Sequence, residues 1–168
     1  TYRTPIKTIR GDYRDADGRT RNRLRLWEKT DFRPAPDDIF QERLYAIQWI
    51  TKDALSRSRP ETFFAAVTEE DLERERKLEK IVAENLVQWQ QEGLVPDMEI
   101  EPGQKTDEPI RTRGWTHWHH LFTPRQLYIL ATLRSHSKFA AASSIGLCTV
   151  LDYSSKLCRW TTSEKGSS

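Results

Sequence analysis

Seven residues able to do chemistry fall within ten positions: Arg111, Arg113, Trp115, His117, Trp118, His119 and His120. Guanidinium groups neutralise phosphates, indole rings stack on bases, and imidazoles donate, accept or ligate a metal. His117 and His119 alternate and His120 adjoins, which raises zinc. No set of cysteines or carboxylates stands at ligand spacing beside them, so hydrogen-bonded histidines of a core or interface are the expectation. Asp97, Glu99 and Glu101 alternate along an extended segment, the pattern of solvated acids and not of a metal site. Trp115 and Trp118 have two outcomes open, contact with a partner or burial.

The helix start that follows positions these groups. Thr123 can cap through its hydroxyl, Pro124 suits the first helical position, and Gln126 can reach back to the cap amide. Phe122 and Leu127 stand at staple spacing, and Leu127, Leu130, Ala131 and Leu133 form the expected inner face, with Arg125 near the helix start. Residues 134–138 read as a break. A second start lies at Thr68, with Asp71 at the box position and Val67 and Leu72 as the staple. It opens a helix from residue 69 to about 92 that buries Leu78, Ile81, Val82, Leu86 and Trp89 at a period of 3.6. Acids lead it, as the helix dipole prefers, and Gly93 and Pro96 close it.

Residues 1–35 read as a β-hairpin turning at Asp15-Ala16-Asp17-Gly18. Arg19, Arg21, Arg23 and Arg25 then share one strand face at a spacing of about 6.5–7 Å. That spacing suits the phosphates of one nucleic-acid strand; a charged edge that blocks sheet aggregation is the other reading. Arg33-Pro34-Ala35-Pro36 is a stiff connector. Asp37 or Asp38 is expected to cap a helix running to about Ser56, with Phe40, Leu44 and Ile47 as its stripe and Tyr45 and Trp49 beside it. Residues 97–109 read as an acidic loop, residues 139–152 as a further helix rich in small side chains, and residues 163–168 as a disordered tail. The fold class expected is mainly α with a small N-terminal β-hairpin (α+β). It comprises a basic arm and linker over residues 1–35 and a helical domain over residues 36–162.

Bulk composition narrows the classes. A chain of 168 residues, 36% hydrophobic, builds one lean core in which six tryptophans supply much of the buried area. No apolar run reaches the length of a membrane span and no signal peptide is visible, so no membrane partner and a cytoplasmic setting are expected. Cys148 and Cys158 form neither a zinc motif nor a disulfide framework. The first residue is Thr1 and the only methionine is Met98, so the chain reads as a processed or truncated piece. The net charge of +2 conceals basic ends around an acidic middle. Residues 1–35 hold ten Lys/Arg against five Asp/Glu, residues 36–110 nine against eighteen, and residues 111–168 eight against two. If the ends meet in space they form a surface for a polyanion.

Several segments resemble the large adenine-specific DNA methylases that carry a zinc-ribbon insertion, some of which serve phage defence. Gly114-Trp-Thr-His-Trp-His-His-Leu-Phe-Thr-Pro-Arg-Gln-Leu127 is similar to a recurring segment of that family, and so is Asp152-Tyr-Ser-Ser-Lys-Leu-Cys-Arg-Trp160. Asp37-Asp-Ile-Phe-Gln-Glu-Arg-Leu-Tyr45 and Thr68-Glu-Glu-Asp-Leu-Glu-Arg74 add to the likeness, which spans roughly residues 20–162. The catalytic parts are missing: there is no G-x-G cofactor loop, no Pro-Pro pair for a [DN]-P-P-[YF] tetrapeptide, and no ribbon cysteines. The resemblance therefore implies a non-catalytic insert between the cofactor and catalytic motifs, where target recognition commonly resides. S-adenosylmethionine is implied for the parent enzyme and no cofactor for this chain. The implied partners are double-stranded DNA and the remainder of the methyltransferase. Arg19, Arg21, Arg23, Arg25, Arg111, Arg113, Arg125 and Arg159 are the candidate phosphate contacts. Trp115, His117 and Trp118 are the candidate base-side contacts, and Trp160 could also stack. The alternative is a structural insert or subunit-docking module without DNA contact.

Overall fold

The structure, a computed structural model, describes residues 3–56, 61–103 and 106–136. The expected helix over 139–152, both cysteines, Arg159, Trp160 and the tail lie outside the described residues. Four α-helices and two small antiparallel strand pairs make a mainly α, α+β fold. In chain order the elements are α1 (Ile6–Arg10), β1 (Tyr13–Arg14), β2 (Thr20–Arg21), β3 (Ala46–Ile50), β4 (Thr62–Ala66), α2 (Glu69–Gln91), α3 (Asp107–Arg113) and α4 (Pro124–His136).

The two helix starts form as their sequences dictate. Thr68 N donates to the Asp71 carboxylate at 3.0 Å, and Asp71 N donates to Thr68 Oγ1 at 3.3 Å. At α4 the Thr123 amide donates to Gln126 Oε1 at 2.7 Å, and the Gln126 amide returns to Thr123 Oγ1 at 3.4 Å. Each box satisfies two amides that a helix start leaves open. The hydroxyl and amide of Thr68 hold the Asp71 carboxyl below its usual range.

Between these starts sits the core. Val82 and Leu86 of α2 pack with Leu127, Leu130 and Ala131 of α4, joined by Val95, Ile100, Trp115, Leu121 and Phe122. Trp27 and Phe32, from the N-terminal segment, enter the same cluster, with Trp89 half-buried against it. Arg125 of α4 donates to Glu75 of α2 at 2.7 Å, a second tie between the two helices. Leu133, expected inside, is exposed, and α4 runs on through the expected break to His136.

Two expectations for the N-terminal half are corrected. The hairpin is far shorter than expected: Tyr13 pairs with Arg21 and Arg14 with Thr20, and the ladder stops there. Asn22 ends it, because its Oδ1 takes the Leu24 amide at 3.2 Å while its Nδ2 donates to the Arg111 carbonyl. The helix expected over residues 37–56 is absent. Asp38 accepts from Ala35 N at 2.8 Å and Gln41 Nε2 donates to the Ala35 and Asp38 carbonyls, which closes a turn instead of a helix. Ile47, Trp49 and Ile50 then pair with Thr62, Phe63 and their neighbours as β3 and β4, in register Ala46↔Ala66 to Ile50↔Thr62. β-branched and aromatic residues on both strands favour that pairing over a helical stripe.

Leu127 is fully enclosed between the two long helices. Leu127→Ala is expected to lower unfolding free energy by about 3 kcal/mol through lost transfer energy and a retained cavity. A shifted urea midpoint with unchanged slope is the check.

Candidate nucleic-acid interface

The tryptophan–histidine segment is the middle of a three-layer backbone arrangement. On one side, Ile100 N donates to Thr116 O at 2.8 Å and Trp118 N to Met98 O at 3.1 Å, around an antiparallel bridge between Glu99 and His117. The segment read as an open acidic loop is thus partly extended and paired, and its end is already α3. On the other side, Trp27 N donates to Gly114 O at 2.8 Å, and the Thr116 hydroxyl donates to Trp27 O. Gly114 has φ of +78°, and a Cβ on it would lie 2.1 Å from the Arg25 carbonyl oxygen. Only glycine permits both the turn out of α3 and this close approach.

The three histidines are spoken for. His120 Nδ1 accepts from the amides of Thr116 and His117 at 3.1 and 3.2 Å, so its Nε2 carries the proton and donates to Glu28 O at 3.0 Å. His119 donates through Nε2 to Asp31 O at 3.0 Å, with Gln90 Nε2 on Nδ1 at 3.5 Å. Thr116 gives its one hydroxyl proton to Trp27 O, so the 2.9 Å contact with His117 Nδ1 requires that ring to donate. His119 and His120 therefore have no lone pair left for a metal. Among the described residues no three His, Cys, Asp or Glu side chains group to hold one. Burial pushes the His119 pKa down to about 4. The rings meet edgewise: His119 and His120 at 4.3 Å, and Trp27 with His120 and Trp115 at 5.1 and 6.2 Å.

Consequently Trp115 and His117, read as base-side contacts, are buried at 6% and 8% exposure, while Trp118 keeps 37%. Their role here is packing and hydrogen bonding. Of the described arginines read as phosphate contacts, three are paired off. Arg21 donates to Asp15 at 2.9 Å, inside the hairpin. Arg25 forks onto Asp38, both contacts at 2.8 Å, and reaches Asp31 as well. Arg125 holds Glu75. These partners act in both directions: Arg25 keeps the Asp38 carboxyl below its usual range, Arg21 does so for Asp15, and the aspartates raise Arg25 further. The four strand arginines do not share one face, because β2 ends at Arg21 and Asn22 redirects the chain.

Arg19, Arg23, Arg111 and Arg113 are exposed and have no acidic partner among the described residues. Arg111 and Arg113 stand in the last turn of α3, where cations suit the helix dipole. The Asn22–Arg111 hydrogen bond and the Gly114–Arg25 contact place Arg23, Arg111 and Arg113 around one short stretch of chain. Among the described residues, the basic N-terminal segment meets the end of α3. Sequence reading did not find Asp31 and Asp38 as partners of Arg25, or Trp27 and Gln90 as packing partners of the histidines. The Arg25 pairs span six and thirteen positions across irregular chain, and the histidine partners lie much further off, so no regular period announces either.

No family model, curated protein or solved structure matches this chain. Among the described residues no helix is long and apolar enough to cross a membrane.

Two outcomes test this geometry. Gly114→Ala should cost about 3 kcal/mol or more, since it adds positive-φ strain to a collision with backbone; a thermal midpoint equal to wild type would refute the close approach. The unfolded chain protonates His119 near pH 6.5 and the folded chain only near pH 4. Its contribution is therefore complete above pH 6.5 and is lost as pH falls toward 4, by up to about 3 kcal/mol. Urea midpoints across that window should fall for wild type and much less for His119→Gln.

Proposed function

We propose that this chain is a non-catalytic, DNA-facing part of an S-adenosylmethionine-dependent adenine-specific DNA methyltransferase. The cofactor and the catalytic tetrapeptide would belong to the rest of that cytoplasmic enzyme, because this chain has no G-x-G loop and no Pro-Pro pair. One observation carries the reading: Arg23, Arg111 and Arg113 stand on adjoining stretches of backbone, and none of them meets an acid among the described residues. Arg19 adds a fourth cation on the neighbouring hairpin. Unpaired guanidinium groups on a rigid backbone suit phosphate oxygens, which they bind in a fork. The buried Trp115 and the histidines hold this platform in shape, and Trp118, part-exposed, is the ring left for a sugar or base. Recognition on this reading is chiefly of the DNA backbone, which fixes position and orientation but carries little sequence information.

A second reading has its own observation. The β3–β4 hairpin exposes apolar side chains on both faces, Trp49 and Phe63 on one and Ile50 and Phe64 on the other. Patches of that kind mark contact with other protein, here the remainder of the enzyme, and a docking role needs no DNA contact.

Duplex binding by the isolated chain separates the two. Four phosphate contacts predict a slope of log affinity against log salt near about −3.6. Arg23→Ala and Arg111→Ala should each flatten that slope by about 0.9, while Arg21→Ala and Arg125→Ala, whose side chains are already paired, should leave it alone. Absence of duplex affinity at low salt would leave the docking reading standing.

A further inference from the structure

Beside the cationic platform lies a cleft of about 300 Å³, formed where Leu24–Trp27, the turn at residues 38–42 and the end of α3 come together. We propose that it is a binding site for a single nucleotide. The inference takes from the DNA-facing reading only the source of that nucleotide, and its test is separate.

The walls decide the ring half of the ligand. Leu24 and Phe40, half-buried, are the apolar wall open to a planar guest, with the nearly enclosed Trp27 and Trp115 behind them. The Arg25–Asp38 fork fixes the turn that carries Phe40, which makes the opening preformed. The volume stands at the small end of ligand pockets, with room for one base and its sugar and too little for a dinucleotide.

Arg113 decides the other half. Its guanidinium carbon lies 5.1 Å from the centre of the Phe40 ring, stacked at the mouth. None of its donors meets an acid among the described residues, so it offers a fork to a phosphate next to an aromatic face. Arg25 cannot play that part, since Asp31 and Asp38 occupy it. Two further polar atoms turn the cleft toward a heterocycle rather than a plain aromatic acid. Gln41 uses its amide nitrogen on the Ala35 and Asp38 carbonyls and keeps Oε1 as an acceptor for an exocyclic amine. Thr123 accepts from Gln126 and keeps its hydroxyl proton. The two lining arginines, Arg25 and Arg113, balance the two lining acids, Asp38 and Glu42, in formal charge. That balance disfavours a run of phosphates and leaves Arg113, which the cleft shares with the platform, as the cation for a single one.

The test titrates the full chain with adenosine 5′-monophosphate, following the fluorescence of the cleft tryptophans, with ribose 5-phosphate as the ringless control. Saturable quenching by the nucleotide and not by the sugar phosphate is expected. Arg113→Ala and Gln41→Ala should weaken it, the first at least tenfold, whereas Arg111→Ala should not change it. Equal binding of the two probes, or unaltered nucleotide binding by a folded Arg113→Ala variant, overturns the proposal. Competition by a single-stranded oligonucleotide would assign the nucleotide to a strand, and its absence would assign a free nucleotide. Duplex binding measured on the same samples keeps the two readings apart. Duplex affinity without nucleotide binding sinks the cleft alone, and nucleotide binding without duplex affinity sinks the platform alone.

Discussion

Everything in this molecule depends on how closely the chain around Gly114 lies against the stretch from Asn22 to Trp27. A glycine in the left-handed region turns the chain out of α3 and lets the Arg25 carbonyl approach to a distance no side chain would allow. From that contact the Trp27 amide reaches Gly114, the Thr116 hydroxyl reaches Trp27, and two imidazoles reach the carbonyls of Glu28 and Asp31. Every one of these bonds spans some ninety positions of sequence. The imidazoles in these bonds are buried, and a lost partner would leave their ring nitrogens stranded, so the bonds specify one arrangement and reject near alternatives.

This arrangement separates two roles that the sequence had placed in one segment. Residues 111–120 look like a single polar-aromatic patch when read as a string. In space, Trp115 and the three histidines face inward and act as structural members. Arg111 and Arg113, one helical turn earlier, face solvent. Ring burial and guanidinium exposure are then linked: the histidines fix the loop at residues 28–31, that loop offers Asp31 to Arg25, and the fork from Arg25 to Asp38 shapes the turn bearing Phe40. A change in the core propagates by short, named steps to the platform and to the cleft.

What the sequence disclosed was local. Both capping boxes, the long helix with its period of 3.6 and the helix opened by Pro124 were legible because each depends on residues three or four apart. The Asp15–Gly18 turn was legible for the same reason. The extent of the first hairpin was not, because Asn22 ends it through a bond to a residue far along the chain. Nor were β3 and β4, whose Phe40–Leu44–Ile47 prelude also fits a helix and whose pairing is settled by a partner strand on the other side of a connection. At the candidate site the residue types were informative and their directions were not. Alternating arginines predict a face only while the strand continues, and a Trp–His run looks the same whether it lines a surface or fills an interior.

The β3–β4 pair carries a consequence of its own. Two five-residue strands that contribute no side chain to the central cluster gain little from burial, and an isolated pair of that size is marginal in water. Its opening is therefore uncoupled from melting of the helices: amide protons of this ribbon exchange early, while those of α2 and α4 wait for the whole body to come apart. The described residues thus form two units of unequal thermodynamic strength, and a single unfolding free energy describes only the stronger one.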